Sequence, residues 1–364
     1  MSRWCLVCGD RGTADAILNV GFFVPLGVAL ANGRLSPLRA LAIGAAVSLA
    51  VEAAQIVVPG RYATPGDVLW NGLGALAGLL AAGLAVRPVA SRSPWAAPFT
   101  AVLVAGGFVV SGALLEHAPT RADYYGQWTA DLGHMPEYGG EVVSAYVDGL
   151  RMPNSRIDPA VDAAARLAAD WAIEARIVKG PPPEFISPII SVYDAEEAEI
   201  LVLGAYSEDL VLRERTRAKA LRLDHPDLRL DDGLARHTVG EALTIGARRE
   251  GPTRCLSVNT TETCGLGFTP GRTWGLLLYL EGPPESYRVA LDATWVFALF
   301  LPIGLLATSV PSLAGAGAIA LLGLPLSALT TRLLPPTAWE LAAACGGLAV
   351  GWVAARIVDG TRTL

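Results

Sequence analysis

Two long stretches of this 364-residue sequence lack charge almost entirely. Residues 15–115 and 290–357 are rich in Leu, Ala, Val and Gly, and 52% of the whole chain is apolar. Such a composition excludes an ordinary soluble protein. Basic charge is scarce as well: segment 117–289, between those stretches, holds 18 Lys plus Arg against 26 Asp plus Glu. That acidic balance excludes nucleic acid as its partner. No cleavable signal peptide is recognisable, because "MSRWCLVCGDRG" contains no apolar run followed by a small-residue cleavage site. Delivery to the membrane is expected to rest on the first spanning helix. Histidine is rare, and His117, His134, His225 and His237 show no ligand spacing, so no zinc site is expected. The Cys5-x-x-Cys8 pair has no second pair to complete a metal site, and a disulfide or free thiols is the simpler reading. No cofactor is expected.

What remains is an α-helical polytopic membrane bundle interrupted by a soluble domain. The boundaries read as 1–116 for a first helical block, 117–289 for the soluble domain and 290–364 for a second helical block. Apolar runs of bilayer length predict about seven transmembrane helices, over 15–30, 37–58, 67–86, 98–115, 290–310, 313–333 and 337–357. Pro25 and Pro302 interrupt two of them, which bundles tolerate when neighbours satisfy the freed carbonyls. With seven crossings, the soluble domain lies on the same membrane face as the start of the first helix. The opposite loops and tail carry Arg34, Arg39, Arg87, Arg92, Arg356 and Arg362, against Arg3, Arg11, Arg61 and Arg332 on the domain's face. The excess leans toward an extracytoplasmic domain under the positive-inside rule. Cys255 and Cys264, close enough in sequence to bridge the arms of a hairpin, are a disulfide candidate and point to the same oxidising side.

The same parity gathers Asp15, Asn19, Glu52, Gln55, Arg61, Asp67 and Asn71 at the membrane face beneath the domain. Ser48, Glu52 and Gln55 share one helical stripe, and Asp67, Asn71, Gly74 and Gly78 another. A carboxylate in hydrocarbon costs roughly 2.5–3.5 kcal/mol at mid-helix, so Glu52 is expected to be paired, neutral or facing water. Arg61 is the nearest candidate partner for Glu52 or Asp67. The group reads either as polar glue between helices or as a pocket for a polar or lipid-linked head group.

"DAILNVGFFVPLG" (15–27) and "SLAVEAAQIVVPGRYATPGDVLWNGLGALAG" (48–78) carry Asp15, Asn19, Phe23, Pro25 and Gly27, then Glu52, Gln55, Pro59, Arg61, Asp67, Asn71, Gly74 and Gly78. This spaced set resembles the VanZ-like membrane proteins. The resemblance covers about the first quarter of the chain and implies a place in the cell envelope and a link to glycopeptide (teicoplanin) antibiotic resistance, without a settled reaction. The chain also resembles itself. "DATWVFALFLPIG" (292–304) aligns with 15–27 at an offset of 277, and Glu340, Gly347 and Gly351 follow Asp67, Gly74 and Gly78 at 273. Such a repeat predicts a second, degenerate VanZ-like half. Because Asn19 becomes Val296 and Asn71 becomes Ala344, any site is expected in the first copy.

Segment 117–289 reads as an all-β sandwich. "WAIEARIVK" alternates, and "SPIISVYD", "AEILVLGAY", "DLVLRERT", "AKALRLD", "EALTIGARR" and "TWGLLLYLEG" follow as further strands. Their order resembles the concanavalin A-like, laminin G-like (LamG) jelly rolls, which implies carbohydrate binding. No acid pair of the kind the related glycan hydrolases use is evident, so no catalytic residue is nominated. No Asp cluster predicts Ca²⁺. Arg213, Arg215, Arg217 and Lys219 alternate as a basic strand ridge, read as a solvated face balanced by acids or as a site for an anionic polymer. Three functions stay open. The first is an envelope protein that binds a glycan or lipid-linked component. The second is a membrane enzyme using Glu52 or Asp67 as acid/base, and the third a structural anchor in the lipid bilayer.

Overall fold

The computed structural model describes residues 6–7, 9, 11–31, 35–55, 65–91, 93–118, 124–129, 135–157, 166–167, 169–195, 199–224, 226–278 and 285–362. Among the described residues four helices come first: α1 Gly12–Ala31, α2 Pro37–Gln55, α3 Pro65–Ser91 and α4 Ala96–Leu114. Among the described residues eleven strands follow, then α5 Glu285–Leu306, α6 Val310–Thr330 and α7 Ala338–Arg362. Among the described residues, five helices are long and apolar enough to cross a membrane: α1, α4, α5, α6 and α7. Helices α2 and α3 are not among the five; they carry Arg39 and Glu52, and Asp67 and Arg87, respectively. Large apolar side chains stand exposed along the helices, with Phe22, Phe99, Leu322 and Leu329 each more than 60% exposed. A bilayer is the solvent such faces fit.

The two helical blocks share one packing scheme. In the first, α1 lies against α3 so closely that a Cβ on Gly74 or Gly78 would overlap the carbonyl oxygen of Val20 or Val24, and one on Gly27 that of Ala75. In the second, α5 lies against α7, and Gly347, Gly351 and Gly304 meet the carbonyls of Phe297, Leu301 and Leu348. Every one of these contacts maps onto its counterpart at the offsets of 277 and 273 noted in the sequence. Small residues at these points let the backbones approach without a side chain between them. Helix α6 packs on α4, where Gly323 meets Ala105, and Phe108 contacts Phe300 with ring centroids 6.4 Å apart.

The middle of the chain forms two antiparallel sheets. One has the order β1 (Tyr124–Trp128), β5 (Ser187–Asp194), β6 (Glu199–Tyr206), β7 (Asp209–Glu214), β8 (Leu228–Leu230). The other runs β11 (Thr261–Leu266), β10 (Thr253–Val258), β9 (Ala242–Glu250), β4 (Ala172–Val178), β2 (Glu141–Val147), β3 (Leu150–Arg151). The strands β5 to β7 are near-continuous apolar runs and are buried on both faces. By contrast β4 alternates: Ile173, Ala175 and Ile177 enter the core with Trp171, while Ala172, Glu174 and Arg176 face out. The six-stranded sheet thus keeps one open, polar face.

Two expected strands are not strands. Arg217–Leu221 and Gly271–Leu276 are 3₁₀ helices. The basic ridge therefore does not form: β7 ends at Glu214, Arg213 is buried, Arg215 binds Asp194 at 2.9 Å and Arg217 binds Glu116 at 2.9 Å. Neighbouring acids engage these arginines, which overrides the two-residue period of the sequence.

The helix ends expected on the domain's side meet the sandwich. Ala14 of α1, Leu115 after α4 and Leu333 after α6 belong to the sandwich's own apolar core. The carbonyl of Arg222 accepts from the backbone N–H groups of Thr13 and Ala14, and Arg11 reaches Asp224 at 2.6 Å. Burial pushes the Asp224 carboxyl up to about 6, which Arg11, 41% exposed at its side chain, only partly opposes. A raised carboxyl pKa holds a proton in the fold that the unfolded chain has released, so this group's stabilisation fades as pH climbs from about 4 to 6. The loss reaches about 3 kcal/mol at most. Buried His117, held below its usual value by burial, acts in the opposite sense, losing stability as pH falls below about 6.5. Asp224→Asn is therefore expected to steepen the acid loss of thermal stability relative to the unmodified protein between pH 4 and 6; parallel profiles would remove Asp224 from the account.

Candidate functional site

Two hydrogen-bonded pairs link polar residues of the first block. Asn19 of α1 donates to Asp67 Oδ1 of α3 at 2.6 Å, and Asn71 donates to Ser48 of α2 at 2.9 Å. Glu52, one turn beyond Ser48, is 6% exposed. Asp15 opens α1, one turn after Arg11. Gln55 is the last residue of α2, and Arg61 lies outside the described residues, as do Cys5 and Cys8. Ser48 and Asn71 are buried, and Asn71 Oδ1 has no hydrogen-bond partner among the described residues. Two polar contacts thus tie α1 and α2 to α3.

A second polar centre occupies the equivalent place in the other block. Asp292 and Glu340 stand where Asp15 and Asp67 stand, but most of their partners come from the sandwich. Asp292 accepts from Arg272 Nε at 3.0 Å through both oxygens and from Trp274 Nε1 at 2.6 Å. Glu340 accepts from the Thr269 hydroxyl, from Gly271 N at 3.0 Å and from Thr337 N at 2.9 Å. With Thr337 Oγ1 in turn accepting from Glu340 N at 3.2 Å, this is a capping box at the start of α7. The loss of Asn19 and Asn71 explains the difference. Val296 and Ala344, their replacements, are wholly buried among apolar side chains, so the acids turn to the segment 269–274. Sequence reasoning aligned the two acids but missed Arg272 and Trp274, because their segment reads as a strand.

The third feature is a groove of about 500 Å³ on the open face of the six-stranded sheet. Register places Tyr146, Glu174, Gly246, Ser257 and Glu262 side by side in one row across five strands. Gly246 keeps the middle of the row low: a Cβ there would crowd Ser257 Oγ at 2.6 Å. Arg176, Thr244 and Asn259 line the floor to one side, and Arg248 the other. Arg248 binds Glu262 through Nε at 2.6 Å and Nη2 at 3.1 Å and also pairs with Glu250. Two arginines and two glutamates line the groove, leaving no net charge but many donors and acceptors. Cys255 and Cys264 form a disulfide at its edge, joining β10 to β11. Glu262 lies within 4.8 Å of both sulfurs, but a disulfide withholds the thiolates a metal would need.

The first block's pattern decides the comparison. Residues 3–86 match the VanZ/LLP1 family. That region holds α1, α2 and nearly all of α3, with the Asn19–Asp67 and Ser48–Asn71 bonds inside it. No curated protein and no solved structure matches the chain. With the apolar spans, the VanZ/LLP1 match supports a multi-pass membrane protein carrying a β-sandwich between its helical blocks. The second block, outside the matched residues, repeats the close α1–α3 approach of the VanZ/LLP1 region through its own glycines.

Proposed function

We propose that the protein is a cell-envelope receptor whose sandwich, on the extracytoplasmic side, binds a carbohydrate or envelope polymer in the groove of the six-stranded sheet. The observation that carries this reading is the groove itself. Its charges cancel, which disfavours a strongly anionic polymer. Its row of hydroxyl, carboxylate, guanidinium and amide groups offers the paired donors and acceptors that sugar hydroxyls need. Tyr146 adds a flat apolar surface at one end. A jelly-roll relationship of the concanavalin A-like or LamG kind and a role in glycopeptide resistance fit this reading and rest on resemblance alone. The polar cluster of Asp15, Asn19, Glu52, Asp67 and Asn71, with Gln55 and Arg61 expected beside it, engages a membrane-proximal group of the same ligand or of its lipid carrier. Asn71 Oδ1, buried with no hydrogen-bond partner among the described residues, is the acceptor such a group would meet.

The test is binding of the full-length, detergent-solubilised protein to an array of envelope glycans. Glu174→Ala and Arg176→Ala, both on the outer face of β4, are expected to weaken binding at least about tenfold each, the equivalent of losing one charge-assisted hydrogen bond. A clean negative for the unmodified protein would leave the sandwich as an anchored structural domain.

A further inference from the structure

The two arginines and two glutamates that line the groove of the six-stranded sheet are not equivalent. Arg248 is occupied within the protein: Glu262 accepts from its Nε at 2.6 Å and its Nη2 at 3.1 Å, and Glu250 pairs with it as well. Glu174 and Arg176 are not occupied. Among the described residues, neither side chain makes a hydrogen bond or an ion pair, with the other or with any neighbour.

Register accounts for this. Residues directly opposite one another in an antiparallel sheet share a face, and opposite charges placed there engage across strands. Tyr146 and Gly246 flank Glu174, and Ser144 and Thr244 flank Arg176. All four flanking residues are uncharged. Acids are not scarce on this face: Arg248, on the next strand, has two, and Arg176 has none. Both free charges are exposed on the outer side of β4. Lying two residues apart, they are separated by about 6.6 Å along the strand. The floor beside them is low and polar. Gly246 has no side chain, and the Ser257 hydroxyl comes within 2.6 Å of where its Cβ would lie. Asn259 Oδ1 accepts from Thr244 N at 2.9 Å, which leaves its amide NH₂ for a ligand.

We propose that the groove selects a glycan that carries both an ammonium and a carboxylate group, the ammonium meeting Glu174 and the carboxylate Arg176. A guanidinium fork takes a carboxylate through two parallel hydrogen bonds, and an ammonium donates to a carboxylate oxygen. A neutral sugar would strip water from both charges and leave each without a counter-charge. A polyanion would satisfy Arg176 and be repelled by Glu174, and a polycation would do the reverse. The separation of the two charges suits groups on neighbouring rings of one chain. It does not suit a single α-amino acid, whose ammonium and carboxylate share one carbon. This selection rests on the glycan reading of the groove given above and adds the charge pattern of the ligand.

The experiment is titration calorimetry of the full-length, detergent-solubilised protein at low ionic strength. One sugar backbone is offered in four charge states. An alternating glucuronate–N-acetylglucosamine tetrasaccharide is anionic. N-deacetylation makes it zwitterionic, carboxyl reduction neutral, and both treatments together cationic. The zwitterionic form is expected to bind at least about tenfold more tightly than each of the other three, the difference one charge-assisted hydrogen bond makes. Glu174→Gln should remove its advantage over the anionic form, and Arg176→Gln its advantage over the cationic form. Each comparison is between ligands on one protein, so altered folding does not imitate either result. Equal affinity for all four forms, or tightest binding by another form, would overturn the charge selection and leave the glycan reading standing. Binding by none of them would overturn both. A zwitterion preference unchanged in both variants would overturn the roles given to Glu174 and Arg176.

Discussion

Replacing Gly78 by valine is expected to abolish the folded membrane block, and Gly351→Val to do the same in the second block. At each position the new Cβ falls on a carbonyl oxygen of the facing helix, Val24 in one case and Leu301 in the other. Backbone cannot yield as a side-chain tip can, so the helices must separate and forfeit the contacts along their whole seam. Overpacking of a close interface costs about 3 kcal/mol or more when relief requires moving a helix. Size-exclusion profiles of detergent extracts provide the measurement: both variants should lose the monodisperse peak. Gly106→Val and Gly21→Val, whose Cβ positions meet nothing within 4 Å, should keep it. Should Gly78→Val fold while Gly351→Val does not, the shared packing of the two blocks would be wrong.

The second large effect is expected at Arg254→Met. Arg254 Nε binds Glu214 Oε2 at 2.6 Å between the sheets, and both side chains are 6% exposed. Removing the guanidinium leaves a buried carboxylate facing His117, 3.9 Å away, with no strong base beside it. Breaking such a pair costs about 3–5 kcal/mol, whereas removing both charges costs far less because no ion is then stranded. The double variant Arg254→Met/Glu214→Leu should thus recover most of the lost thermal stability. Arg254 also lowers the affinity of His117 for its proton, while Glu214 raises it. The single variant should therefore let His117 take up a proton more readily, and this group's loss of stability as pH falls should be smaller than in the unmodified protein. A single variant no less stable than the double would show that the pair is not held as described.

These predictions draw on features of unequal visibility in the sequence. Strands β4 to β7 were legible because alternation and unbroken apolar runs report burial on one face or on two. The 3₁₀ turns at 217–221 and 271–276 were not, since alternating Arg and Ala, or a run of leucines behind Trp274, look the same whether the backbone extends or coils. Their partners decide, and Glu116, Asp194 and Asp292 are distant in sequence. Asn19, Asp67, Asn71 and Ser48, hydrogen-bonded in two pairs, stood out because a bilayer makes every amide and carboxylate conspicuous. The groove was not, because Tyr146, Glu174, Gly246, Ser257 and Glu262 become neighbours only when five strands fall into register. The repeat showed in sequence as matching glycines, but the turning of its acids toward the sandwich required knowing that Val296 and Ala344 close the inner route.

Everything proposed for the groove and the polar cluster presumes that the sandwich stands outside the cell. Val239, 62% exposed, offers a direct test. A Val239→Cys variant, in a background with Cys5, Cys8 and Cys345 changed to serine, would be treated in intact cells or spheroplasts with a membrane-impermeant maleimide. Labelling without permeabilisation is the predicted result. Labelling only after the membrane is opened would place the sandwich in the cytoplasm and contradict the account.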